Sequence, residues 1–301
     1  MTQNPSENVT LLTAWKSAQA RFKAAGIDSP SIDARLLLEA STGAGRVDIL
    51  TDPYRVLSQD KVDAYEAMIE RRLKREPVSR ILGKKGFWKI MLNVTPDVLS
   101  PRPDTEVILD VVTRAFPPHK AFEMIDLGTG SGAILLATLF ERAGARGVGT
   151  DISTEAIAVA RENAANLDLN NRCTFMRTDW AAGFGDNSFD LVVSNPPYIP
   201  TGDIPGLDPE VREHDPLLAL DGGPDGLQPY RDLAPEIARI LRPEGIFAVE
   251  IGHDQGAAVK ALFIEAGFSD VKVIKDLGDR DRVVTNGPDP RLDPLPEPQG
   301  L

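Results

Sequence analysis

The 301-residue chain has few cysteines, histidines and aromatics and no long apolar run, and each shortage closes off a class of protein. With Cys173 the single cysteine, no intrachain disulfide can form, which suits a reducing cytoplasm; Cys173 itself reads as a small buried residue opening a strand. No apolar stretch approaches the roughly 20 residues of a membrane span. Residues 1–8 lack the basic-then-apolar build of a signal peptide, so a cytosolic protein is expected. Basic residues are outnumbered, 33 Lys plus Arg against 45 Asp plus Glu, for a net charge of −12. Repulsion from phosphate backbones follows, and a dedicated duplex-DNA binder is not expected. His119, His214 and His253 are scattered, and each reads as structural or exposed.

The length predicts two domains. Residues 1–75 read as a small helical domain. Val9, Leu11, Leu12, Trp15, Ala18 and Phe22 recur at helical spacing towards a stop at Gly26, Ser29-Pro30 open a second helix, and Ser58 opens a third that runs to Leu73. No ligand cluster stands out, so this domain is expected to recognise rather than react. Its last helix ends in Arg71-Arg72-Leu73-Lys74-Arg75, read as a solvated face, with a nucleic-acid or acidic partner as the minority reading. Residues 76–104 read as a β-hairpin linker with turns at Gly83 and Gly86, leading into Pro101-Arg102-Pro103-Asp104-Thr105-Glu106, a stiff loop presenting a cation. From 105 to 286 strand and helix alternate, as in a doubly wound parallel sheet. The long Pro-, Gly- and Asp-rich stretch 199–225 reads as a lid or platform, and 287–301 as a disordered tail.

The chain is organised around Asn195-Pro196-Pro197-Tyr198, which follows the apolar strand Phe189–Ser194. In an open α/β sheet the carboxyl edge of the strands is where ligands bind. The tetrapeptide suits an amino group attached to an sp² carbon. Such a nitrogen has its lone pair delocalised and must be held before it attacks. The Asn195 side-chain oxygen and the Pro196 carbonyl can each accept one N–H, and the Tyr198 ring can flank the planar group. The prolines fix the loop before substrate arrives.

A second constellation lies at a strand-to-helix turn: Asp126, then Gly128-Thr129-Gly130-Ser131-Gly132, with Asp151 about twenty positions on. Glycines let the backbone approach a ligand, Asp151 can bind a ribose diol, and Asp126 can hold the turn or meet an ammonium group. The same letters satisfy a dinucleotide fingerprint, so NAD competes. Room for one mononucleotide-type fold, the loop's place behind a helical domain, and Asp179-Trp180 as a seat for one adenine tilt the choice to S-adenosylmethionine.

Together these segments resemble the glutamine methyltransferases that modify peptide chain release factors, the HemK/PrmC family. The resemblance implies a class-I methyltransferase, Rossmann-like sheet behind a helical substrate-recognition domain. It implies methyl transfer from S-adenosylmethionine, leaving S-adenosylhomocysteine, to the side-chain amide nitrogen of the glutamine in a Gly-Gly-Gln loop of class-I release factors. By position, Gly128 to Gly132, Asp151, Trp180 and Asn195 contact the cofactor, and Asn195 to Tyr198 hold the glutamine. No metal is implied. A cytoplasmic monomer acting on a release factor, without direct DNA contact, is the expectation. An adenine-amino methyltransferase uses the same four residues and is the alternative, but it needs a basic target surface that this composition does not supply.

Overall fold

The computed structural model describes residues 8–292, which divide into two compact units. The first comprises residues up to Gly83 together with Pro209–His214. Its helices are α1 (Leu11–Ala24), α2 (Pro30–Thr42), α3 (Arg46–Thr51), α4 (Gln59–Leu73) and α5 (Val78–Leu82). Leu11, Ala18, Phe22, Leu37, Leu38, Tyr65 and Ile69 form its core. Tyr65 is buried with its hydroxyl donating to the Ala34 carbonyl at 2.8 Å, so the one polar atom of this large ring is satisfied.

Two sequence expectations change here. The linker does not start at 76: Pro77 caps α5, Ile81 is buried and Gly83 closes the helix in the left-handed conformation at φ 65°. Residues 76–83 therefore extend the helical unit. The six-residue α3 was also missed, too short to show a periodicity. The basic run is largely neutralised within the unit. Arg71 pairs with Glu76, buried Arg72 with Asp33 and Glu210, and Arg75 with Glu210. These pairs, with Glu210 brought in from 209–214, tie three of the run's four cations into the unit.

The second unit starts with a hairpin, β1 (Lys84–Phe87) and β2 (Ile90–Asn93), paired antiparallel with Phe87 opposite Ile90. Its turn is Trp88-Lys89, Trp88 having φ 53°. Gly86, expected at the turn, lies inside β1 opposite Met91. The hairpin is no free linker. Asn93 N–H donates to Asn163 Oδ1 at 2.7 Å, and Asn163 Nδ2 donates to the carbonyls of Asn93 and Ser131. A fully buried asparagine thus ties the hairpin to the glycine loop.

After a 3-10 turn over Pro103–Thr105, the chain continues through α6 (Glu106–Ala115), β3 (Phe122–Leu127), α7 (Ala133–Glu141), β4 (Ala145–Asp151), α8 (Thr154–Asn166), β5 (Cys173–Arg177) and β6 (Phe189–Ser194). Then come the short α9 (Pro209–Arg212), α10 (Gln228–Ile240), β7 (Leu241–Glu250), α11 (Gly256–Glu265), β8 (Lys272–Lys275) and β9 (Asp281–Thr285). The strands form one seven-stranded sheet in the order β5-β4-β3-β6-β7-β9-β8. The first five in that order are parallel, but β9 runs antiparallel to both β7 and β8, so the sheet is not wholly parallel as expected. The tight turn between β8 and β9 permits only an antiparallel pair. Strands such as β6 read as continuous apolar runs because both faces are covered, by α6, α7 and α8 on one side and α10 and α11 on the other.

Residues 287–292, assigned from sequence to the tail, are held in place: Gly287 is buried and Arg114 donates to the Pro290 carbonyl at 2.7 Å. The rest of that tail lies outside the described residues. No helix among the described residues is long and apolar enough to cross a membrane.

Candidate active site

At the carboxyl edge of the sheet, where the order reverses between β3 and β6, a cleft of about 420 Å³ opens. That volume suits a mononucleoside-sized ligand. Gly128, Thr129, Gly130, Ser131, Asp151, Asp179, Trp180 and Asn195, all predicted cofactor residues, line it, as do Pro197 and Arg102. Two sequence motifs about 65 positions apart thereby face one space, because β3 and β6 are neighbours.

The glycine loop takes its shape from left-handed backbone and is tied down by the carboxylates of Asp126 and Asp151. Gly128, Gly130 and Gly132 have φ of 72°, 55° and 82°, the left-handed region that a side chain disfavours. Asp151 accepts from Gly130 N–H and Ser153 N–H, each at 2.9 Å, which leaves lone pairs on each oxygen for further donors. Burial raises its pKa. The Trp180 ring lies close over Gly128, 3.4 Å from where a Cβ would stand.

Two predicted cofactor residues do not reach the cleft wall. Asp126 is wholly buried beneath the loop, accepting from the Thr129 hydroxyl at 2.7 Å and Leu135 N–H at 3.3 Å. Its Oδ1 has no partner, and burial pushes its pKa up to about 7. Its hydrogen-bond partners belong to the loop and to α7, so it holds the turn. Gly132 faces Leu136 and Ala160 and allows α7 to pack closely.

Of the tetrapeptide, Asn195 and Pro197 line the cleft, whereas Pro196 is buried and Tyr198 half-buried. The Tyr198 ring packs on the apolar cluster that contains Tyr230, and its hydroxyl donates to Glu250 Oε1 at 3.4 Å. The ring expected to flank the substrate amide thus packs on an apolar bed, with its hydroxyl on a buried acceptor. Asn195 Nδ2 donates to Thr105 Oγ1 at 3.2 Å, which leaves the amide oxygen available as an acceptor. Gln255 clamps the loop's exit: its Nε2 donates to the carbonyls of Tyr198 and Gly226 at 2.9 and 3.1 Å, while its Oε1 accepts from Gly252 N–H.

Sequence reading missed Thr105 as more than a cap, and missed Glu250, Gln255 and Arg282 altogether. Glu250 carried a signal, a lone carboxylate within the apolar run 246–251. Arg282 is buried between Asp276 at 3.1 Å and Asp104 at 3.4 Å. Arg102 also lines the cleft, 3.8 Å from Asp215, which accepts from Ser100 N–H. Buried Cys173 has its thiol pKa pushed up to about 11 by burial, as an inert core residue should. None of the three histidines lines the cleft.

A doubly wound sheet with one nucleoside-sized cleft at its reversal point is the architecture of a methyltransferase, and residues 118–269 match the Methyltransferase domain family. Residues 13–83 match the PrmC N-terminal domain. The release factor glutamine methyltransferase of Caulobacter vibrioides is 60% identical over 286 residues, covering 95% of this chain and 99% of that protein. Those of Agrobacterium fabrum and Rhodospirillum rubrum are 45% and 46% identical, covering 89% and 87% of this chain and 94% and 80% of theirs. The chain belongs to the release factor glutamine methyltransferase family, as its motifs suggested.

Proposed function

We infer that the cleft transfers a methyl group from S-adenosylmethionine to the side-chain amide nitrogen of the glutamine in a Gly-Gly-Gln loop of class-I release factors. The observation that carries this is the convergence on one cleft of a backbone-lined nucleoside seat and an asparagine whose amide oxygen is held free. The residues fit the donor. Glycines without Cβ atoms admit close approach of its amino-acid portion, Asp151 offers acceptors for a ribose diol, and Trp180 with Asp179 offers a stacking face and an acceptor for one adenine. Unpartnered Oδ1 of Asp126 supplies negative potential beneath the loop for a cationic ligand. When bound, the donor supplies an electrophilic methyl carbon.

The chain's own part is orientation. Asn195 Oδ1 and the Pro196 carbonyl accept the two N–H bonds of the glutamine amide, which aims the nitrogen lone pair across the cleft and polarises it. Tyr198 acts from below, anchoring the loop. No strong base is required, because the amide proton becomes acidic as nitrogen takes on positive charge, and the histidines lie elsewhere. The buried surroundings of Pro196 and Tyr198 exclude water from a reaction in which separated charge is lost. The reading places the protein in the cytoplasm, as a monomer, with a release factor as its partner.

Intact-mass measurement of a release factor incubated with enzyme and donor is the test. Addition of one methyl group, mapped to the glutamine of the Gly-Gly-Gln motif, is expected. An unmodified release factor alongside methylated DNA or RNA would overturn it.

A further inference from the structure

The segment Pro101-Arg102-Pro103, a stiff loop presenting a cation, has no part in the transfer as derived above. Its shape is set locally. Pro103 bars the helical region to the residue before it, and Arg102 is extended, at φ −101° and ψ 145°. The chain then turns at once, Thr105 N–H donating to the Arg102 carbonyl at 3.1 Å. Thr105 Oγ1 in turn accepts from Asn195 Nδ2 at 3.2 Å. Arg102 thus stands one 3-10 turn from the residue that holds the asparagine of the reacting end.

Two observations single out its side chain. The first is charge: the described residues that line the cleft include four carboxylates, Asp97, Asp151, Glu155 and Asp179, and one basic side chain, Arg102. The second is that the guanidinium's donors are unspent. Its ion-pair partner among the described residues is Asp215, 3.8 Å away and beyond hydrogen-bond reach, and Asp215 is already engaged by Ser100 N–H. The half-buried guanidinium therefore brings a planar fork of five N–H donors to the cleft and makes no hydrogen bond among the described residues. Such a fork matches a carboxylate bidentately.

S-adenosylmethionine carries two cationic groups, a sulfonium and an ammonium, which suit an acidic cleft. It also carries one α-carboxylate, which four acidic neighbours repel unless a cation meets it. We propose that Arg102 receives the α-carboxylate of the donor's amino-acid tail. The assignment rests on the donor reading above and deepens it. Asp151 and Trp180 hold the nucleoside and Arg102 the far end of the tail, so the chain grips the donor on both sides of its sulfur and fixes where the methyl group points.

Calorimetry on the full-length protein tests this with two unreactive ligands that differ only at that group, S-adenosylhomocysteine and its decarboxylated form, S-adenosyl-3-thiopropylamine. Wild type should bind the first about 10- to 100-fold more tightly, the range of a charge-assisted hydrogen-bonded pair. Arg102→Gln should lose most of that preference while binding the decarboxylated ligand as wild type does. Arg102→Lys, which keeps the charge and loses the fork, should retain a smaller preference than wild type. A partly unfolded variant would lower the binding stoichiometry of both ligands and leave their ratio intact; if Arg102→Gln does not fold at all, Arg102→Lys decides. Equal affinities in wild type, or an undiminished preference in either variant, would overturn the proposal. An undiminished preference together with a raised KM for release factor would assign the guanidinium to the acceptor instead. If wild type bound neither ligand, the donor reading itself would fall; if it bound both equally, only the role of Arg102 would.

Discussion

The two loops that meet in the cleft leave neighbouring parallel strands, β3 and β6, yet are held by opposite means. The glycine loop is fixed by main-chain geometry: three left-handed glycines, the Thr129 N–H on the Thr150 carbonyl at 2.8 Å, and Asp151 fastened to Gly130. The Asn195–Tyr198 loop is fixed by side chains from far along the sequence: Thr105, Glu250 and Gln255. A seat for a ligand needs a smooth, close backbone. An orienting clamp needs a defined polarity, which satisfied side-chain hydrogen bonds can impose. Damage to the first half should show in donor affinity, and damage to the second in turnover.

The largest effect is expected from Asn195→Ala. It removes the acceptor that aims the amide, and kcat should drop by roughly a thousandfold, as for loss of a key polarising contact, while calorimetry still detects donor binding. Near-normal kcat would dissolve the contrast. Gly226→Ala comes next. At φ 72°, a Cβ there would stand 2.7 Å from Gln255 Nε2 and against the Tyr198 carbonyl. Displacing the clamp should cost about 10- to 100-fold in kcat. Gly183→Ala is the control, equally left-handed at φ 93° but with open space around it; it should cost about 1 kcal/mol of stability and no turnover.

The contrast also explains what was legible. The glycine loop with Asp151, and Asn195 to Tyr198, were readable because each is local: turn chemistry at the end of an apolar strand leaves a fixed spelling. Strands β3, β5 and β6 were readable for the same reason, their apolar runs being bounded by breakers. Glu250, Gln255 and Arg282 were not, since their meaning comes from topology. Only when β7 lies beside β6, and β9 inserts antiparallel beside β7, does a carboxylate at position 250 sit below a tyrosine at 198. The apolar bed on which the Tyr198 ring packs was hidden likewise, because its residues lie far along the chain. The start of the hairpin failed for a different reason: α5 spans only five residues, and Gly83 serves a helix end and a turn equally well.

On the donor side, Asp151→Ala should raise the donor Kd by about tenfold or somewhat more, the range of one or two charged hydrogen bonds. At saturating donor kcat should recover, whereas Asn195→Ala stays slow at any donor concentration. An Asp151→Ala enzyme with normal donor affinity but low kcat would show that the halves are not separable.

Asp126 gives the smallest effect on turnover and the sharpest test of how the glycine loop is supported. Its carboxyl is wholly buried, with a pKa near 7 in the folded chain against 3.8 for the ordinary group, burial being the chief cause. Between those values the folded state binds a proton that the unfolded state has lost, so stability falls as pH rises. The proton's contribution is complete below 3.8, declines through the interval and is gone above about 7. Without ligand, the wild-type Tm should be lower at pH 8 than at pH 5.5. Asp126→Asn cannot ionise and should flatten that slope, though not abolish it, because Asp151 is raised in the same direction by burial. A saturating cationic donor should recover part of the lost Tm at pH 8 in wild type more than in Asp126→Asn, since the buried negative charge then has a counter-charge above the loop. Identical slopes in the two proteins would mean that the loop's hydrogen bonds, from Thr129 and Leu135, hold the carboxylate ionised at no cost, and that main-chain geometry supports this half of the cleft without help from the titration beneath it.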